Sequence, residues 1–141
     1  MNSMRQKAYT RQEVPNHKTG IVVGIDVSKG KINFAAFHPE WNTATIQVRQ
    51  NQAGFEELKR FIEDFQDSGH QVWVGYEPTG PYSICLREFL LANRCRTVQV
   101  NSYHSKRIKE VRDNSPLKSD DKDPGVIADL IWQGCYQEVH A

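Results

Sequence analysis

The stretch Ile21-Val22-Val23-Gly24-Ile25-Asp26-Val27 sets the narrowest limits on how this chain can fold, because a run of largely β-branched residues drives straight into a carboxylate. Such a run fits a buried strand. After Ser28 and Lys29 the pair Gly30-Lys31 reads as the turn, and Ile32-Asn33-Phe34-Ala35-Ala36-Phe37 reads as the second strand of a hairpin. Asp26 then lies inside a sheet. An ionised carboxylate there is costly unless a cation or hydrogen bonds compensate it. Taken singly, Asp26 is better explained by a structural hydrogen-bond network than by a metal ion, and the decision turns on whether other carboxylates converge on it.

A chain of 141 residues is sized for one domain with a real core. With 18 Lys and Arg against 17 Asp and Glu, the net charge of +1 does not announce a nucleic-acid binder, so local patches must carry any such reading. The three cysteines, Cys85, Cys95 and Cys135, form no C-x-x-C pair and suit free, buried thiols in a reducing compartment. No apolar run approaches the roughly 20 residues of a membrane helix, and no signal-peptide core opens the chain, so no membrane association and a cytoplasmic location are expected.

Residues 1–19 are polar and basic and read as a flexible arm, and 20–135 as the domain. Within the domain, strands at about 21–27 and 32–37 are followed by a turn at 38–42 and a third strand, Thr43 to Val48. From Ala53 the period becomes helical, with Phe55, Leu58, Phe61, Ile62 and Phe65 on one face and Gly69 as the left-handed stop. A strand, Val72 to Tyr76, ends in Glu77, and Pro78-Thr79-Gly80-Pro81 hands over to a helix with Tyr82, Cys85, Leu86, Phe89 and Leu90 on its apolar face. Thr97 to Val100 is a fifth strand. Strands alternating with helices favour right-handed crossovers and parallel pairing, so the last two strands should lie parallel to the first. The expected fold class is α/β, a mixed five-stranded sheet, three antiparallel strands then two parallel, flanked by helices. After Asn101 comes a basic track, then Ser119-Asp120-Asp121-Lys122-Asp123, then a helix through Val126, Ile127, Leu130, Ile131 and Cys135 reaching nearly to the C-terminus.

Asp26 and Glu77 each terminate a strand, and in the deduced sheet those strands are parallel neighbours. Acids that close cannot both ionise without a strong pKa rise or a cation between them. Oxygen donors of this kind suit Mg²⁺ or Mn²⁺, and a further acidic cluster would complete a two-ion site for phosphodiester chemistry. Asp120 and Asp123 can supply it, since a spacing of three shares one face of a helical turn. Each acid singly is equally a turn or cap residue; their joint placement favours convergence.

The Gly-Ile-Asp-Val-Ser-Lys opening, Glu77-Pro78-Thr79-Gly80 and Lys118-Ser119-Asp120-Asp121-Lys122-Asp123 resemble, in order and spacing, the successive motifs of the DEDD transposases of the IS110 insertion-sequence family. The resemblance spans about residues 20–135. It implies a ribonuclease-H-like (RuvC-like) domain in which Asp26, Glu77, Asp120 and Asp123 are the catalytic, metal-binding tetrad. It also implies Mg²⁺ or Mn²⁺, two ions, as cofactor, DNA strand cleavage and exchange in transposition, a guide (bridge) RNA, homo-oligomeric assembly of complete enzymes, and a C-terminal domain with a catalytic serine, into which residues 136–141 would be the truncated lead. The chain departs from the pattern at Pro124, where the family usually has Ala. Proline is most comfortable as the first helical residue, which makes Asp123 an N-cap and leaves Asp120 in a loop.

Lys29, Lys31 and the track Lys106, Arg107, Lys109, Arg112 and Lys118 are candidates for phosphate contacts, and equally an ordinary solvated face. Ser28 and Thr79 are expected as turn and cap residues, His104 as a surface histidine, Tyr82 and Trp132 as core. Two other functions fit less of the chain. A Gly-Ile-Asp hairpin also opens nucleotide-binding domains of the sugar kinase and actin type, but no Gly-rich second phosphate loop follows. A non-catalytic nucleic-acid-binding module would need only the basic stretch.

Overall fold

The computed structural model describes residues 12–101 and 123–140. Strand β1 (Gly20–Ser28) pairs antiparallel with β2 (Lys31–His38), and β2 pairs in turn with two short strands, β3 (Trp41–Asn42) and β4 (Ile46–Arg49). On the other side β1 pairs parallel with β5 (Gln71–Tyr76), and β5 parallel with β6 (Arg96–Gln99). Three antiparallel strand positions followed by two parallel ones is the expected order. Helix α1 (Gln52–Asp67) makes the first crossover and α2 (Ile84–Ala92) the second; α3 (Pro124–Trp132) packs on the opposite face.

The strand count differs from five. The third strand is broken: Phe37 faces Asn42 while Phe34 faces Ile46, so three steps along β2 match four along the partner. The extra residue is taken up around Thr43, whose Oγ1 accepts from the Ala36 amide at 3.0 Å, a bulge of the kind that interrupts antiparallel edges. The final helix also stops earlier than its apolar pattern suggests. Gly134 at φ +79 donates to the Ile131 carbonyl and Cys135 to that of Leu130, a Schellman closure that turns the chain back. Residues Gln137–Glu138 then form β7, antiparallel to β6, which makes seven strands among the described residues.

Alternation divides the core in two. Ile21, Val23, Ile25 and Val27 face α1 and α2 together with Ile32, Phe34, Val74 and Tyr76; Val22, Trp73 and Val98 face α3 with Ile127, Leu130 and Ile131. Leu58 and Ile62 of α1 are buried as their spacing requires, and Asn51 caps that helix by accepting from the Gly54 amide at 2.8 Å. In α2, Leu86 and Leu90 are buried, whereas Tyr82 and Cys85, expected on the same face, are exposed. A short 3-10 turn (Gly80–Ser83) precedes the helix and offsets its first turn from the sheet. Trp132 packs in the second core cluster as expected.

Residues 12–19, part of the stretch read as an arm, make specific contacts. The Tyr136 hydroxyl donates to the Glu13 carbonyl at 2.8 Å, and Gln12 donates through its backbone to Gly134 and through its side chain to the Tyr136 carbonyl. Arg96 lies over the Trp73 ring at 3.7 Å and pairs with Glu138 at 2.6 Å and Glu13 at 3.3 Å, joining this segment to β6 and β7.

Burial pushes the Tyr76 hydroxyl above its ordinary value of 10.0, and burial with Glu138 nearby does the same for Tyr136. A raised phenol pKa favours the neutral form in the folded state, so this stability is fully present below about pH 10 and is lost as pH rises through the folded pKa. Denaturant unfolding between neutral pH and strong alkali should show stability falling above about pH 10, with a shallower fall in Tyr76→Phe. Equal slopes in the two proteins would remove Tyr76 from this account.

Candidate active site

Asp26 is the last acid-bearing position on β1 before the hairpin, and it is only 7% exposed. The parallel register pairs Ile25 with Tyr76, so Asp26 and Glu77 are the residues one step beyond that pair on each strand. In a regular ladder this sets their backbones about 4.8 Å apart. The loop carrying Glu77 is tied down locally. The Thr79 hydroxyl donates to the Glu77 carbonyl at 3.0 Å, and the Thr79 amide donates to the Ser83 hydroxyl, which is itself buried. Ser28 donates across the hairpin to the Lys31 carbonyl. Both Thr79 and Ser28 are thus turn residues, as their sequence context suggests.

Asp123 is the N-cap of α3, its Oδ1 accepting from the Gly125 amide at 2.8 Å with Pro124 in the first helical turn. That is the arrangement Pro124 implied. The start of α3 sits directly on β1: a Cβ added to Gly24 would lie 2.4 Å from the Pro124 carbonyl oxygen. One added to Gly75, in register with Gly24 on β5, would lie 2.2 Å from Ile131 Cδ1. The two glycines are the floor on which α3 rests. Gly24 and Asp26 are two residues apart on one strand and share a sheet face, so the helix start that carries Asp123 overlies the strand that carries Asp26.

Two residues that sequence reasoning missed complete this face. Asn33 stands opposite Asp26 in the hairpin and its Nδ2 donates to Asp26 Oδ2 at 3.3 Å. Gln47 stands opposite Asn33 on β4 and its Nε2 donates to Asn33 Oδ1 at 2.9 Å. A chain of amides crosses three strands and ends on the carboxylate. The signal was present in the hairpin. Ser28 pairs with Lys31, so the two-residue loop is Lys29-Gly30, with Gly30 at φ +80, and not Gly30-Lys31. Counting back from the correct loop puts Asn33 beside Asp26.

The donors available are oxygens only, which suits a hard divalent cation such as Mg²⁺ or Mn²⁺. Asp26 is carried by β1, Glu77 by the loop directly after β5, and Asp123 by the N-cap of α3, which packs on both strands. Among the described residues no group of three or more His, Cys, Asp or Glu is close enough to hold a metal ion by itself. Asp120 lies outside the described residues, as do Lys106, Arg107, Lys109, Arg112, Lys118 and His104. Lys29 and Lys31 are exposed at the hairpin, beside the acid-bearing end of β1.

A sheet of strand order β3-β2-β1-β5-β6 with the first two pairings antiparallel and the next two parallel, with Asp26 near the end of β1 and Glu77 directly after β5, is a ribonuclease-H-like architecture. The family model DEDD_Tnp_IS110, described as Transposase, matches residues 23–141, and the chain belongs to that family. Solved structures similar to it include a Thermus thermophilus RuvC structure, at TM-score 0.48, and T. thermophilus RuvC in complex with a Holliday junction substrate, at 0.46. In each case 84% of this chain and 99% of the RuvC chain are covered at 11% identity. None of the curated proteins compared with the chain matches it. Family membership sets aside the sugar kinase and actin reading. Among the described residues no helix is long and apolar enough to cross a membrane.

Proposed function

We propose that this chain carries the carboxylate centre for divalent-metal-dependent DNA strand cleavage and exchange in transposition. The observation that carries the reading is the parallel register, which sets Asp26 and Glu77 one step beyond the Ile25–Tyr76 pair on adjacent strands, with the start of α3, which Asp123 caps, packed on β1 through Pro124. Asp26, Glu77 and Asp123 would hold Mg²⁺ or Mn²⁺ together with Asp120, in a two-ion arrangement. When bound, such ions polarise a phosphoryl oxygen and make a bound water more acidic. The protein's part is positional. The sheet fixes Asp26, the tied loop directly after β5 holds Glu77, the amide chain from Gln47 through Asn33 orients the Asp26 carboxylate, and the capped start of α3 fixes Asp123. A guide RNA and a homo-oligomeric assembly belong to the same reading through the family to which the chain belongs.

The direct test is nicking of supercoiled and branched DNA by the protein in Mn²⁺ or Mg²⁺, with chelator as the control. Metal-dependent nicking is the expected result. Nicking that persists in chelator, or none under either condition together with no saturable Mn²⁺ binding, would remove this reading.

A further inference from the structure

The sheet face that bears Asp26 continues past the amide row to a second row that the carboxylate chemistry does not use. Lys31 on β2 stands opposite Arg49 on β4 in the antiparallel register, one row beyond the Asn33 and Gln47 pair and so on the same face as Asp26. Two like charges placed directly opposite on neighbouring strands disfavour the pairing. No ion pair among the described residues relieves it, since the ion pairs there involve Arg87 and Arg96 only. Both side chains are exposed, Gln47 beside them is exposed, and Lys29 projects from the adjoining loop. Helix α3 rests on Gly24 and Gly75, on the other side of the Asp26 row from Lys31. Two residues of strand span about 7 Å, so the cation row lies one short step from the carboxylate along β2.

We propose that Lys31 and Arg49, with Gln47 beside them, form a phosphate-binding step for the DNA strand whose backbone is presented to Asp26. The inference rests on the DNA-cleavage reading above and adds to it the direction in which the strand leaves the acids: across β2 and β4. Charge complementarity selects a polyanion. The shared face with Asp26 selects the DNA being cut over any other. An arginine can hold a phosphate through two parallel donors, and the neighbouring lysine adds a point charge. Gln47 is placed to add a neutral hydrogen bond to the same backbone.

The test is equilibrium binding of a labelled DNA duplex to the full chain and to the double variant Lys31→Gln/Arg49→Gln, across a salt series without nicking metal. Losing two phosphate contacts should make the drop in affinity between about 50 and 200 mM salt about tenfold smaller. Thermal stability should hold or rise, because a like-charge pair is removed, and Mn²⁺ binding should be unchanged, because no carboxylate is touched. An unchanged salt slope with wild-type DNA binding intact overturns the cation row alone. If the wild type binds Mn²⁺ but no DNA, the DNA reading and the cation row fail together. Weakened binding of RNA with DNA binding unaltered would give the row to RNA and overturn the proposal.

Discussion

Asp26→Asn is expected to abolish saturable Mn²⁺ binding and metal-dependent nicking while leaving the fold in place. The substitution is nearly isosteric and keeps an oxygen that can accept from Asn33 Nδ2. It removes only the charge. Changing a residue that merely orients a metal ligand costs about 10–100-fold in affinity, so replacing the ligand itself should cost at least the upper end of that range. Stability should move the other way. At 7% exposure the ionised carboxylate bears a desolvation cost in the metal-free protein, and the neutral amide bears much less. The metal-free variant should therefore melt no lower than the wild type. A ligand that binds only the folded state raises the melting temperature, so Mn²⁺ should stabilise the wild type and not the variant. Equal stabilisation of both would show that the ion binds elsewhere.

The parts of this site that could be read from the sequence are those fixed by local chemistry. The apolar run into Asp26, the strand ending at Glu77 and the alternation of strands and helices each follow from a short window. Pro124 is a further example: a proline that cannot sit comfortably inside a helix marks its own first-turn position and makes its predecessor the cap, as Asp123 is. What escaped depends on register. Assigning the hairpin loop one residue late shifts every partner on β2 by two positions, and that hid the Asn33 contact with Asp26. The bulge at Thr43 escaped for a similar reason, since one extra residue leaves the apolar pattern of a short strand almost unaltered. The early end of α3 is set by Gly134 in a run that remains apolar on both sides of it, where hydrophobic pattern alone gives no stop.

Gly24 could not be understood from sequence at all, because its meaning lies in a contact with a helix a hundred residues later in the chain. Gly24→Ala is expected to destabilise the protein by about 1–3 kcal/mol, the usual cost of inserting a methyl group where there is no room. The obstruction is the Pro124 carbonyl oxygen at 2.4 Å and its carbon at 3.2 Å, which are backbone atoms that no side-chain rotation can clear. Either β1 bends or the start of α3 lifts. Because β1 is held on both sides by β2 and β5, the helix start is the part that gives, and Asp123 moves with it. Mn²⁺ affinity should therefore fall together with the melting temperature. Gly30→Ala supplies the control. It is strained by a φ of +80 but meets nothing within 4 Å, so it should cost about 1–2 kcal/mol and leave the metal affinity alone. Calorimetric Mn²⁺ titration of the two variants at a temperature where both are folded separates the effects. If Gly24→Ala is destabilised yet binds Mn²⁺ as the wild type does, Asp123 is no part of the centre, and the site reduces to the two acids on the sheet and whatever the segment containing Asp120 contributes.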